Sequence, residues 1–215
     1  MIDILPKLKE YVRCVDAKKV TNPGSKSFEV VRSACRDSLL EVKLHFILSV
    51  AKRLQPFLKM YHVDKPMMPF LVPDFLKLVK DLLACFVQRD VVESIVTCSD
   101  VIGFDTNDTG KHRPAIELGF SADKIIRSAK FQEKKVSVRD MLGVRTDAKS
   151  VLKATCKKLL QKTPVTSPVA RALSCLDPRN MAGSPEQCKT MMRRLLSACV
   201  ESSFVVETDC NDATV

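Results

Sequence analysis

Nine cysteines and three histidines have the widest chemical reach of any residues in this chain of 215. A structural zinc site draws its ligands as C-x2-4-C and H-x3-5-H pairs, because each pair must set two donors on one tetrahedron. No two cysteines stand that close, and His45, His62 and His112 are far apart. Cys35, Cys85, Cys156 and Cys199 fall on or beside apolar helical faces, where cysteine acts as a small hydrophobe. The expectation is buried structural thiols and no metal site. The cysteine count is odd, and Asp3, Lys7 and Lys9 stand where a secretory signal would be apolar. Both features argue against a disulfide scaffold and for a reducing compartment.

The carboxylates offer no better constellation. Asp100, Asp105 and Asp108 cluster, and Asp105-Thr106-Asn107-Asp108-Thr109-Gly110 partly matches a calcium-binding EF-hand loop. The match fails at its twelfth position, where Ile116 replaces the bidentate glutamate, and Pro114 disrupts the exit. A polar turn is the better reading. Six glycines, with neither G-x-G-x-x-G nor G-x-x-x-x-G-K-[ST], exclude the usual phosphate loops. No catalytic residue, cofactor or small-molecule substrate is expected.

The strongest chemical pattern is basic. Arg145, Lys149, Lys153 and Lys157 recur at four-residue intervals, with Lys158 and Lys162 alongside. Asp147 is the only acid between Arg145 and Lys162. Like charges at i,i+4 destabilise a helix by roughly 0.2–0.5 kcal/mol per pair, and a polyanion would offset that repulsion. The ridge should stand away from a buried stripe of Val144, Ala148, Val151, Leu152, Thr155 and Leu159, and so be exposed as a set. Arg193 and Arg194 extend the same surface if the last helix packs alongside. The alternative is a solvated face on a helix held by tertiary packing. A net charge of +10 favours acidic partners such as nucleic acid. With no Trp in the chain, base stacking is not expected, so any such contact would be backbone-directed and weakly specific.

The elements that must position these residues read as helices. A 46% hydrophobic, 28% charged composition supports a packed core. Helical spacing of Leu5, Leu8, Val12 and Val15 predicts a first helix over 4–15. Ser27 can cap a second, through Cys35. The third carries Leu40, Leu44, Ile47, Ala51, Leu54 and Leu58 on one face, with Pro56 expected to kink or divide it. Pro73 can open a fourth, running to about Gln88. Asp90 and Ser121 can cap short helices, and a long helix spans 138–161. Ser167-Pro168 and Ser184-Pro185-Glu186 open the last two. The fold class is all-α: an irregular multi-helix domain of about seven to nine helices. Two packed subdomains are assigned, 1–98 and 115–205, separated by a polar loop at 99–114 and followed by an acidic tail at 206–215. No apolar run is long enough to span a membrane.

Several phrases carry a family likeness. They are Lys43-Leu44-His45-Phe46, Val50-Ala51, Gln55-Pro56-Phe57-Leu58, Tyr61 and the run Asp64-Lys65-Pro66-Met67-Met68-Pro69-Phe70-Leu71. Leu118-Gly119-Phe120-Ser121-Ala122 and Leu176-Asp177-Pro178-Arg179-Asn180-Met181, followed by Cys188, belong with them. Over most of residues 1–205 the chain resembles transposon-derived proteins of the hAT superfamily, of the domesticated kind abundant in fish genomes. That resemblance implies helical material of the sort that interrupts an RNase H-like transposase core, without the core itself. It also implies a nuclear location; otherwise the chain would be cytoplasmic. The BED-type zinc finger of many relatives does not occur here. The expected function is therefore a non-catalytic helical domain acting in protein association, self-association or non-specific contact with DNA or another polyanion. The alternatives are a helical protein–protein adaptor without nucleic-acid affinity, and a fragment of a larger transposase-like protein.

Overall fold

The computed structural model describes residues 2–132 and 136–205. Among the described residues there are twelve α-helical segments and no β-strand, only an isolated antiparallel bridge between Val87 and His112. The fold is all-α. The segments outnumber the expected seven to nine because several are single turns, too short to show a period in sequence. The expected acidic tail, 206–215, lies outside the described residues.

Two compact units divide the chain: residues 1–52 with 115–151, and residues 53–114 with 152–215. The sequential split at 99–114 is therefore not made, and that polar stretch lies inside the second unit. Its backbone explains why. The Gln88 N–H donates to the Lys111 carbonyl at 2.9 Å, and the Arg113 N–H to the Phe86 carbonyl at 2.9 Å. His112 is carried back into the core this way, edge-on to Phe86.

In the first unit, α1 (Leu5–Asp16) and α2 (Lys26–Arg36) bury Val12, Val15 and Phe28 together, with Cys35 against them. Asp16 of α1 receives Arg32 at 2.6 Å and Arg36 at 3.1 Å from α2. Ser25, not Ser27, caps α2. Ser25 has the extended backbone a cap requires, and its Oγ accepts from the Phe28 N–H at 3.2 Å. The next helix, α3 (Leu40–Tyr61), contributes to both units and buries Val42, Phe46 and Val50. The stripe expected from sequence is displaced, for Ile47 and Leu58 are 49% and 59% exposed. Apolar residues cover more than one side of α3, so periodicity alone cannot choose the face; packing does. Pro56 does not divide the helix. The carbonyl it leaves without a donor belongs to Lys52, an exposed residue that water can reach.

The second unit is built on α4 (Met68–Leu83), which starts one turn before the expected Pro73, with Pro69 in its first turn. Phe75, Leu82, Leu83, Phe86 and Val87 are 0–1% exposed. Each such burial is worth roughly 1.5–3 kcal/mol. Two short helices follow, α5 (Arg89–Ser94) and α6 (Cys98–Ile102). Asp90 lies inside α5; the cap position is Gln88, which makes no side-chain cap.

Three further segments, α7 (Phe120–Ile126), α8 (Ala129–Gln132) and the first half of α9 (Val138–Lys162), as far as Val151, belong to the first unit. Ser121 lies within α7, and the cap position is Gly119. The second unit closes with α10 (Pro168–Ala172), a 3-10 turn over Leu173–Leu176, α11 (Pro178–Gly183) and α12 (Pro185–Glu201). The 3-10 turn packs between α4 and α12, and Ala172, Cys175, Cys188 and Leu195 form the core there.

Candidate nucleic-acid interface

Ser137 starts α9, its Oγ accepting from the Asp140 N–H at 3.0 Å. The buried stripe is Val144, Ala148, Leu152 and Cys156, a strict four-residue repeat, whereas Val151 is 36% exposed. Each member of the basic ridge directly follows a stripe residue, so it lies about 100° around the helix from it. The ridge thus flanks the stripe instead of opposing it. Arg145, Lys149 and Lys153 are half-buried, with stems able to cover apolar surface while their charges reach water. Lys157, Lys158 and Lys162 are exposed. The expectation of a ridge uniformly clear of the core is corrected to this graded one. Arg145 and Lys149 belong to the first unit, and Lys153, Lys157, Lys158 and Lys162 to the second. None of the six makes an ion pair among the described residues.

Arg193 and Arg194 are exposed on α12. The principal packing partners of α12 are α10, α11 and the 3-10 turn, and α9 is not among them. The side-by-side packing that would add these arginines to the ridge is not made, and Arg194 instead lines a cavity of the second unit.

The clustered aspartates serve local structure. Asp100 completes a capping box with Thr97 at the start of α6, and its carboxyl is held below the usual range by the Thr97 and Val96 N–H groups. Asp105 accepts from the Asn107 N–H at 2.8 Å and Asp108 from the Gly110 N–H at 3.1 Å, closing successive turns. Asp108 also pairs with Lys111 at 3.2 Å. Among the described residues no group of three or more His, Cys, Asp or Glu is placed to hold a metal ion. Cys85, Cys98, Cys156, Cys175 and Cys188 are buried thiols, and burial pushes Cys156 up to about 12.

One polar cluster escaped the sequence reading. Asp177 is fully buried, caps α11 by accepting from the Arg179 N–H at 2.9 Å, and pairs with the Arg179 guanidinium at 2.8 Å. That guanidinium holds the Asp177 carboxyl below its ordinary range. It also lies over the Phe70 ring at 5.2 Å and 3.7 Å from Asp74, which accepts from the Tyr61 hydroxyl at 2.9 Å. Burial, then the Asp74 carboxylate, raises the Tyr61 phenol. Asn180 donates to the Ser174 carbonyl at 2.9 Å. The Asp-Pro step at 177–178 is a helix-start signature that could have disclosed α11; nothing in sequence disclosed its partners across the unit. Comparison with protein-family models, curated proteins and solved structures finds no match for this chain.

Proposed function

We propose that this chain is a non-catalytic, hAT-like helical domain, acting in the nucleus, that meets polyanions such as duplex DNA through the C-terminal half of α9. One observation carries the reading: Lys153, Lys157, Lys158 and Lys162 occupy ten residues of one helix with no ion pair among the described residues. The helix dipole accounts for a cation in the last turn, here Lys162, but not for the others. Phosphate neutralisation accounts for all four. The exposed trio Lys157, Lys158 and Lys162 should dominate, because the half-buried cations are less free to approach a phosphate.

The test is the salt dependence of duplex binding by fluorescence anisotropy. Replacing Lys157, Lys158 and Lys162 by Gln should leave the helical circular dichroism intact and weaken binding at low salt. It should also flatten the log Kd against log salt slope by about 3, at roughly 0.9 per phosphate contact. Unchanged binding, or no binding by the parent, would transfer the lead to the protein-adaptor reading. That second reading has its own support in the first unit, where Phe120, Val138 and Leu142 are 85%, 87% and 63% exposed.

A further inference from the structure

The second unit holds an open cavity of about 720 Å³, walled by Val72, Pro73 and Leu76 of α4, Val169 of α10, and Met191 and Ala198 of α12. Its size falls in the range of roughly 300–1,000 Å³ usual for small-ligand clefts. Two features restrict what it can hold. The lining contains no acidic side chain but two arginines, Arg171 and Arg194. It also contains no aromatic side chain. Arg171 is half-buried and donates only a long bond of 3.5 Å to Ser99 Oγ. Arg194 is exposed, without an ion pair among the described residues. Two guanidiniums on a lining that holds no carboxylate favour an anion. A nucleotide would want a ring to stack on, and none is offered. The wall mixes polar side chains such as Thr97, Ser184 and Gln187 with a larger aliphatic share, which includes Met191, whose flexible thioether fits an irregular alkyl chain well. Val96, at the lining and 71% exposed, gives such a chain further apolar surface to cover.

We infer that this cavity binds a single-chain amphiphile with an anionic head, a free long-chain carboxylate, its alkyl chain between α4 and α12 and its head on Arg171 and Arg194. The sequence reading foresaw no small-molecule substrate, and this site asks for none: the ligand is bound, not transformed. The inference is independent of the α9 interface.

The probe is sodium dodecanoate below its micellar concentration, titrated calorimetrically into the full chain. Saturable binding near one per chain is expected, tightening about tenfold from decanoate to dodecanoate, since two more methylenes are buried. Dodecyltrimethylammonium, with the same chain and the opposite head, should bind at least tenfold more weakly. So should dodecanoate to the R171Q/R194Q variant. Dodecyl phosphate binding more tightly than dodecanoate would overturn the carboxylate assignment in favour of a phosphate head. A V96W variant supplies the only tryptophan in the chain at an exposed position, so its emission should shift blue as dodecanoate saturates the site. Equal affinity for the cationic amphiphile, undiminished binding to R171Q/R194Q, or no saturable binding by the parent would overturn the proposal.

Discussion

Replacing Gly119 by Ala is the most demanding test of the first unit. Gly119 sits at φ 95°, ψ 150° at the head of α7, a region of backbone space that is essentially glycine's alone. An alanine there carries strain of about 1–3 kcal/mol. Its Cβ would also fall 2.7 Å from the Ser49 Cβ on α3, with Ser49 Oγ nearer still. Ser49 Oγ can turn away about χ1, but its Cβ is fixed to the backbone, so the backbone must give, at about 1–3 kcal/mol for overpacking. The sum is about 2–6 kcal/mol, a large share of a stability near 5–15 kcal/mol. Urea unfolding followed by circular dichroism measures it directly. The two causes separate in a Ser49→Gly background, where the collision vanishes and the strain stays. Ser49→Gly alone should cost about 0.5 kcal/mol of helix propensity. In that background Gly119→Ala should cost about 1–3 kcal/mol less than in the parent. A Gly119→Ala variant within 0.5 kcal/mol of the parent would refute the backbone argument, and an equal cost in both backgrounds would refute the close approach.

Two further outcomes follow from buried groups of the second unit. Asp177→Ala should destabilise by about 2–3 kcal/mol through loss of a cap and a charge-assisted pair, and Asp177→Asn by less because the amide oxygen still caps. The native Asp177 carboxyl is lowered by Arg179, so its contribution is present above the unfolded carboxylate range near 3.9 and is lost as pH falls through the folded value. The stability gap between the parent and Asp177→Asn should therefore close below about pH 4, and a gap constant to pH 2 would contradict the pairing. Cys156, raised to about 12 by burial, should resist iodoacetamide at pH 8 in the native protein and react only in denaturant, as followed by peptide mass mapping. Rapid native labelling of Cys156 would show that α9 opens readily.

Helix existence was legible because the apolar period persists through most of the chain, and α9 matches its expected span to within a residue. Faces were less legible. In α3 the chain offers Leu44, Ile47 and Ala51 as readily as Val42, Phe46 and Val50, and only the elements packed against it decide. Caps were misread where two candidates stood close: Ser25 and Ser27 are chemically alike, and backbone conformation chose between them. The α9 cations were found by spacing, yet their graded exposure depended on which stripe was buried, and that stripe was shifted by Val151. The cavity had no sequence signature. Arg171 and Arg194 line the same cavity because α10 and α12 pack together, a long-range event that no local pattern records.

The cluster around Arg179 joins two stretches of sequence that stand far apart in the chain. Phe57, Tyr61 and Phe70 come from one phrase and Asp177, Arg179 and Asn180 from another, more than a hundred residues later. In the structure Tyr61 reaches Asp74, Asp74 lies beside Arg179, and Arg179 covers Phe70 while pairing with Asp177. Phe57 stacks on Tyr61 at 4.6 Å and meets Phe75 at 6.3 Å. Every polar member has a partner, and a fully satisfied network of this kind specifies one packing over its neighbours. It offers no free nucleophile or acid for chemistry, because its charges are spent on one another. Arg179 itself remains 59% exposed and escapes most of the desolvation cost, whereas the fully buried Asp177 carboxylate bears it and is compensated by the charge-assisted bonds it accepts. Tyr61, Phe70, Asp177 and Arg179 therefore tie together stretches of the second unit that lie more than a hundred residues apart in sequence.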